Sequence, residues 1–66
     1  MKTVEFKVYK YTDGKYRVES SDIRYWYRKG FYADFIDSEN IYSVLEDIAV
    51  KCADDNVEAT FRFVYI

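Results

Sequence analysis

The start of the chain alternates between hydrophobic and polar positions with a period of two. Residues 2–11 place Val4, Phe6 and Val8 on one face and polar or tyrosine side chains on the other. Residues 15–20 alternate in the same way, with Tyr16 and Val18 in phase. This period is typical of strands that bury one face, so two strands are predicted here.

The segment between these strands carries Asp13-Gly14, a pair of residues typical of a hairpin turn. Residues that face each other across two strands share a face, so Val8 is predicted to lie opposite Val18. The loop then has three residues, 12–14, and Gly14 supplies the left-handed position. A two-residue loop would instead pair Val8 with Glu19 and separate the apolar faces.

The middle of the chain is rich in aromatic residues and lacks helical spacing. Residues 23–29, with the sequence IRYWYRK, are predicted as a strand, and residues 31–36 alternate again. Lys29-Gly30 is a candidate turn between them. Two interpretations stay open: a second hairpin, or one long bulged strand.

The second half of the chain contains the only helical pattern. Its hydrophobic residues fall three or four positions apart on a single stripe: Ile41, Val44, Leu45, Ile48, Ala49 and Cys52. We expect Asp37 or Ser38 to cap the helix and Glu39 to favour its positive end. The helix should end at residues 54–56, with Asn56 in the left-handed conformation. Residues 57–66 alternate and predict a last strand.

This order of elements, β-β-β(β)-α-β, predicts a two-layer α+β fold in one domain spanning residues 1–66. One helix with one apolar stripe can cover one face of one sheet. We expect an antiparallel sheet of four strands, or five if the middle of the chain forms a hairpin.

Composition removes several classes of function. The chain has 66 residues, a formal net charge of −2, no His and a single Cys, so a disulfide framework, a Cys/His zinc site and histidine-based catalysis are excluded. Cys52 lies on the helical stripe and is predicted to be a packed thiol. We expect no enzyme activity, no cofactor and no metal. No apolar run of membrane-spanning length and no signal-peptide pattern occur, so a cytoplasmic protein is expected.

Two groups of residues are candidates for binding a partner protein. The second side of the predicted sheet has no helix to cover it, so aromatic and cationic residues of the middle segment should be partly exposed, and these types dominate interface hot spots. The alternative is that they only pair across strands and cover a thin sheet. Residues 33–66 carry eight acidic and two basic residues, and acids on the outer helix face would steer a basic partner. The candidates are Tyr25, Trp26, Tyr27, Arg28 and Tyr32 as anchors, and Glu39, Glu46 and Asp47 as steering groups.

The order of these motifs resembles the HicB-like antitoxin domain, a degenerate ribonuclease-H-like fold. The features in common are the first strand, Asp13-Gly14, the Tyr16-Arg17-Val18 strand, Asp22 after it, and Asp37-Ser38-Glu39 before the helix. The chain departs from that family at residues 23–30, which replace a Pro- and Gly-containing loop, and we expect it to lack the DNA-binding module that many members carry after the last strand. The resemblance implies a small protein that binds and blocks a basic ribonuclease toxin.

We therefore expect a non-catalytic inhibitor of a partner protein. The partner would be a basic toxin ribonuclease, or a nucleic-acid-binding defence protein blocked by a phage or mobile-element protein. Pairing of exposed sheet edges would also allow a homodimer. No membrane partner is expected. The alternative function is single-stranded nucleic-acid binding, because stacked aromatic rings beside Arg and Lys form such platforms.

Overall fold

The described part of the protein is a small α+β domain with one sheet and one helix, as predicted. The computed structural model describes residues 2–22 and 33–65. Their elements in chain order are β1 (Lys2–Lys10), β2 (Tyr16–Ser20), β3 (Ala33–Ile36), α1 (Ile41–Asp54) and β4 (Val57–Tyr65). The predictions for residues 23–32, including a fifth strand, lie outside the described residues.

The first two strands form the predicted hairpin with the predicted register. Val8 lies opposite Val18, and the Tyr11 amide donates to the Lys15 carbonyl at 2.9 Å to close a three-residue loop. Gly14 has a φ of +86°, a backbone conformation that favours glycine because it has no Cβ. The Asp13 carboxylate accepts the Lys15 amide at 2.9 Å. The loop therefore fixes which faces of the strands are shared.

The strand order is β3-β2-β1-β4, and this sheet is mixed rather than wholly antiparallel. β1 pairs with β4 in parallel along its whole length, from Lys2 opposite Val57 to Lys10 opposite Tyr65. The expectation of an antiparallel sheet is therefore wrong for this pair. Helix α1 crosses the sheet between β3 and β4 and returns the chain to the end at which β1 starts, so β4 runs in the same direction as β1.

One hydrophobic core lies between the sheet and the helix. Phe6 is fully buried at the centre of the sheet, and its ring lies 5.7 Å from the ring of Phe61 on β4. Cys52 is also fully buried, as predicted for a packed thiol. The remaining buried residues come from all five elements: Val4, Val8, Val18, Ile36, Ile41, Leu45, Ile48 and Val57.

The helix ends where predicted but begins later. Asn56 adopts a φ of 58° immediately after it, and its amide donates to the Ala53 carbonyl. At the other end, residues 38–40 form a turn in which the Asn40 amide donates to the Asp37 carbonyl at 2.9 Å. The flanking residue Asn40 makes no side-chain cap hydrogen bond, so the prediction that Asp37 or Ser38 caps the helix is wrong. Glu39 precedes the first helical turn, which contains no acidic residue.

Strand β3 contains a bulge where it pairs with β2. Tyr16 lies opposite Ile36 and Val18 opposite Ala33, so three residue steps on β3 match two on β2. Within the bulge, Phe35 has a φ of 57°, which is unusual for a large side chain. Ile36 consequently enters the core, whereas Phe35 is 67% exposed.

Candidate functional site

The outer face of α1 combines hydrophobic and acidic side chains. Tyr42, Glu46 and Val50 are spaced by four residues, so they share one line along the helix. Tyr42 is 70% exposed and Val50 is 55% exposed. Glu46 lies between them and is also exposed. These residues face solvent because Ile41, Leu45, Ile48 and Cys52 occupy the opposite, buried side.

Acidic residues dominate this side of the molecule. Residues 39–55 contain five acidic side chains and one basic one, Lys51, which gives this segment a net charge of −4. All six of these side chains are exposed. We call the solvent-facing part of α1 with its flanking turns the acidic helix face; it comprises Glu39, Tyr42, Glu46, Asp47, Val50, Asp54 and Asp55.

One further acid beside this face, Asp37, pairs with a cation that immediately follows the hairpin loop. Lys15 and Asp37 form an ion pair between their ammonium and carboxylate groups. The Asp37 carboxylate raises the pKa of Lys15 above its ordinary value of 10.5. Both side chains are exposed by more than 40%, so solvent weakens the attraction. Asp37 lies four residues before the first helical residue, Ile41, so its position in the chain is too early for a helix cap.

The second side of the sheet has a different charge balance. Its six charged positions alternate across β1, β2 and β4, and they include as many acids as bases: Glu5, Lys7, Arg17, Glu19, Glu58 and Arg62. Lys7 lies between Glu19 on β2 and Arg62 on β4, and the side chains of Arg17 and Glu19 form an ion pair at 3.6 Å. Across β1, β2 and β4, this open sheet face is therefore neutral overall.

Aromatic residues lie at one end of the open sheet face. The rings of Tyr11 and Phe35 stack with their centroids 6.1 Å apart and an angle of 29° between their planes. Tyr9 lies two residues before Tyr11, in register with Arg17. Tyr9 and Tyr11 are partly exposed, as predicted for the sheet side that the helix does not cover.

The predicted binding residues divide between described and undescribed parts of the chain. Glu39, Glu46 and Asp47 are exposed on the acidic helix face, as predicted. The five predicted aromatic and cationic anchors, Tyr25, Trp26, Tyr27, Arg28 and Tyr32, lie outside the described residues. Tyr42 and Val50 were not among the predicted binding residues, although both are hydrophobic residues that lie outside the buried stripe.

Residues 2–22 and 33–65 contain no group of three or more His, Cys, Asp or Glu side chains that could hold a metal ion. In the same part of the chain, no helix has the length and apolar character that crossing a membrane requires.

The chain was compared with known proteins at the levels of sequence and structure. No protein-family model, curated protein or solved structure matches it. The resemblance to the HicB-like antitoxin domain therefore stays a prediction.

Proposed function

We propose that this protein is a non-catalytic binding module that inhibits a basic partner protein by docking its acidic helix face. The observation that carries the proposal is the line of Tyr42, Glu46 and Val50, which places two exposed hydrophobic side chains within an acidic surface. Protein interfaces have this composition, with aromatic and apolar groups at the centre and charged groups at the rim.

The two kinds of side chain have separate roles in such a complex. Tyr42, 70% exposed in the free protein, can bury most of its ring in a pocket of the partner, and Tyr is among the residue types that dominate hot spots. Glu46 and Asp47 raise the rate of encounter with a positively charged surface, an effect that weakens with added salt. A helix that presents residues at i, i+4 and i+8 suits a groove on the partner.

The charge of the helix face favours a partner that itself binds nucleic acid. Proteins with that activity carry clusters of Lys and Arg, which complement the net charge of −4 between residues 39 and 55. A toxin ribonuclease, as the antitoxin resemblance implies, and a nuclease of a host defence complex both belong to this class. Blocking that basic surface would prevent nucleic acid from reaching it.

The aromatic and cationic residues of the middle segment are proposed as a second contact region. If Trp26 is a hot spot, Trp26→Ala should weaken binding by ~2 kcal/mol or more. A loss below about 0.3 kcal/mol, with circular dichroism unchanged, would remove Trp26 from the binding surface.

The proposal is tested by affinity capture from lysate of the cells that carry the gene, with and without nuclease. Three baits are compared: the natural chain, the Glu46→Gln/Asp47→Asn variant and the control Glu5→Gln/Glu19→Gln, which removes the same charge from the open sheet face. We expect the natural chain and the control to retain one basic protein after nuclease treatment, and the helix variant to lose most of it. Equal recovery by all three baits would contradict docking through the helix.

A second candidate function is single-stranded nucleic-acid binding on the open sheet face. The stacked Tyr11–Phe35 pair, with Phe35 67% exposed, favours it because bases stack on such rings. The equal numbers of acids and bases on this face oppose it. Fluorescence anisotropy with a short, labelled single strand of nucleic acid tests this function. An affinity that falls steeply with salt concentration would support it, and the absence of binding at low salt would exclude it.

Catalysis is tested separately. We expect titration calorimetry with Mg²⁺ or Mn²⁺ to show no heat of binding, and the melting temperature to stay unchanged. Binding of either ion, followed by hydrolysis of a nucleic-acid substrate, would overturn the non-catalytic assignment.

A further inference from the structure

Strand β4 forms one edge of the described sheet, and it lacks the short length, Pro residues and bulges that often protect an edge. It is nine residues long, contains no Pro, and pairs with β1 without a bulge. The other edge of the described sheet, β3, has only four residues and is bulged. Long regular edges readily pair with another strand, whereas short or bulged edges resist pairing. Among the described strands, β4 is therefore the one suited to strand addition.

The charges of β4 have no counterpart within the described part of the chain. Glu58 and Arg62 are both exposed, and neither forms an ion pair among the described residues. They flank Thr60 symmetrically, two positions to either side, and all three side chains alternate onto the same face of the sheet. An acid and a base at equal distances from a central residue form a self-complementary pattern for an antiparallel partner.

We propose that β4 pairs with β4 of a second copy of this chain, antiparallel, about a two-fold axis at Thr60. In this register Glu58 lies opposite Arg62 of the second copy, and Arg62 lies opposite its Glu58. Opposite charges directly across two strands are stabilising, and like charges are destabilising. The Thr60 register places both charges of each chain opposite their complements, whereas centring the pair on Arg62 or on Glu58 would oppose like charges.

The hydrophobic side of β4 is compatible with the same register. Ala59 lies opposite Phe61 of the second copy, so a small side chain faces a large one, and Val57 lies opposite Phe63. Phe63 is 38% exposed in the single chain and would gain apolar contacts. The two-fold axis is perpendicular to the sheet, so both helices lie on the same side of one continuous eight-stranded sheet, and the contact is an isologous dimer.

This dimer does not depend on the proposed docking of the acidic helix face, because it uses the sheet edge. It is tested by sedimentation equilibrium from micromolar to millimolar protein, where a dimer has twice the 8.0 kDa mass of the chain. Arg62→Glu and Glu58→Arg each create two like-charge pairs per dimer, so each should raise the dissociation constant at least about tenfold. Lys51→Glu is the control for Arg62→Glu, because it makes the same change from a basic to an acidic residue on the helix and should leave the dissociation constant unchanged.

Mixing the two edge variants tests the register itself. A chain with Arg62→Glu is acidic at both positions and a chain with Glu58→Arg is basic at both, so the mixture should form a heterodimer although each variant alone is monomeric. Circular dichroism confirms that each variant is folded. Three results would overturn the proposal: a natural chain that stays monomeric at millimolar concentration, a dimer that both charge reversals leave intact, or a mixture that stays monomeric.

Discussion

Replacing Gly14 with Ala tests the turn that aligns β1 with β2. Gly14 has a φ of +86°, and a Cβ added there would meet no atom within 4 Å. The cost is therefore purely conformational, about 1–2 kcal/mol for an L-residue with left-handed backbone. Ala also reduces the freedom of the unfolded chain, which offsets about 0.4–1 kcal/mol. We expect a net loss of about 1 kcal/mol and a melting temperature lower by roughly 4–8 °C.

The matched control is D-alanine at position 14, introduced by chemical synthesis. D-Ala favours positive φ and carries its methyl group at the other α-hydrogen position of Gly14, so it should stabilise the protein by about 0.4–1 kcal/mol. The assay is urea and thermal unfolding followed by circular dichroism. If L-Ala were neutral and D-Ala destabilising, Gly14 would not have positive φ. The three-residue loop, and with it the Val8–Val18 register, would then be refuted.

Three further predictions test the helix and its two ends. Ile48→Val, at a buried position, should lower the free energy of unfolding by about 1 kcal/mol. Val50→Ala, at a position 55% exposed, should change it by less than about 0.5 kcal/mol. Equal losses of stability in urea unfolding would mean that the helix presents a different side to the sheet. Asn56→Gly should preserve stability and Asn56→Ala should lower it by roughly 1 kcal/mol, because the φ of Asn56 is 58°. The reverse order of melting temperatures would contradict a left-handed backbone conformation at the end of the helix. Asp37 raises the pKa of Lys15 in the folded protein. The stability that the natural chain has over Lys15→Met is therefore complete below pH 10.5 and is lost as the pH rises through the raised pKa of Lys15. A stability difference between the two chains that grew at high pH would contradict this sign.

Local patterns predicted most of the elements because their causes are local. The period of two in β1 follows from the way alternate side chains point to opposite faces of a strand, and the Asp13-Gly14 turn leaves one register that keeps Val8 and Val18 together. The helical stripe likewise identified the buried side of α1, and Asn56 its end.

The features that the sequence did not predict depend on long-range contacts. The parallel pairing of β4 with β1 follows from the path of the helix across the sheet, which the period of neither strand records. The helix begins at Ile41, after a turn at residues 38–40, so Asp37 lies too early in the chain to cap it, and its carboxylate instead pairs with Lys15 beside the hairpin loop. The exposed positions of Tyr42 and Val50 could have been predicted, because both residues depart from the stripe that the helix buries.

The central claim is that the acidic helix face binds a basic partner, and one measurement tests it most directly. Once the partner has been captured, its affinity is measured by surface plasmon resonance for the natural chain, for Tyr42→Ala and for the control Tyr9→Ala on the open sheet face. We predict that Tyr42→Ala weakens binding by about 2 kcal/mol or more, mainly through faster dissociation, and that Tyr9→Ala changes it less than about twofold. Natural affinity for Tyr42→Ala, together with a large loss for Tyr9→Ala, would contradict the claim and assign binding to the sheet.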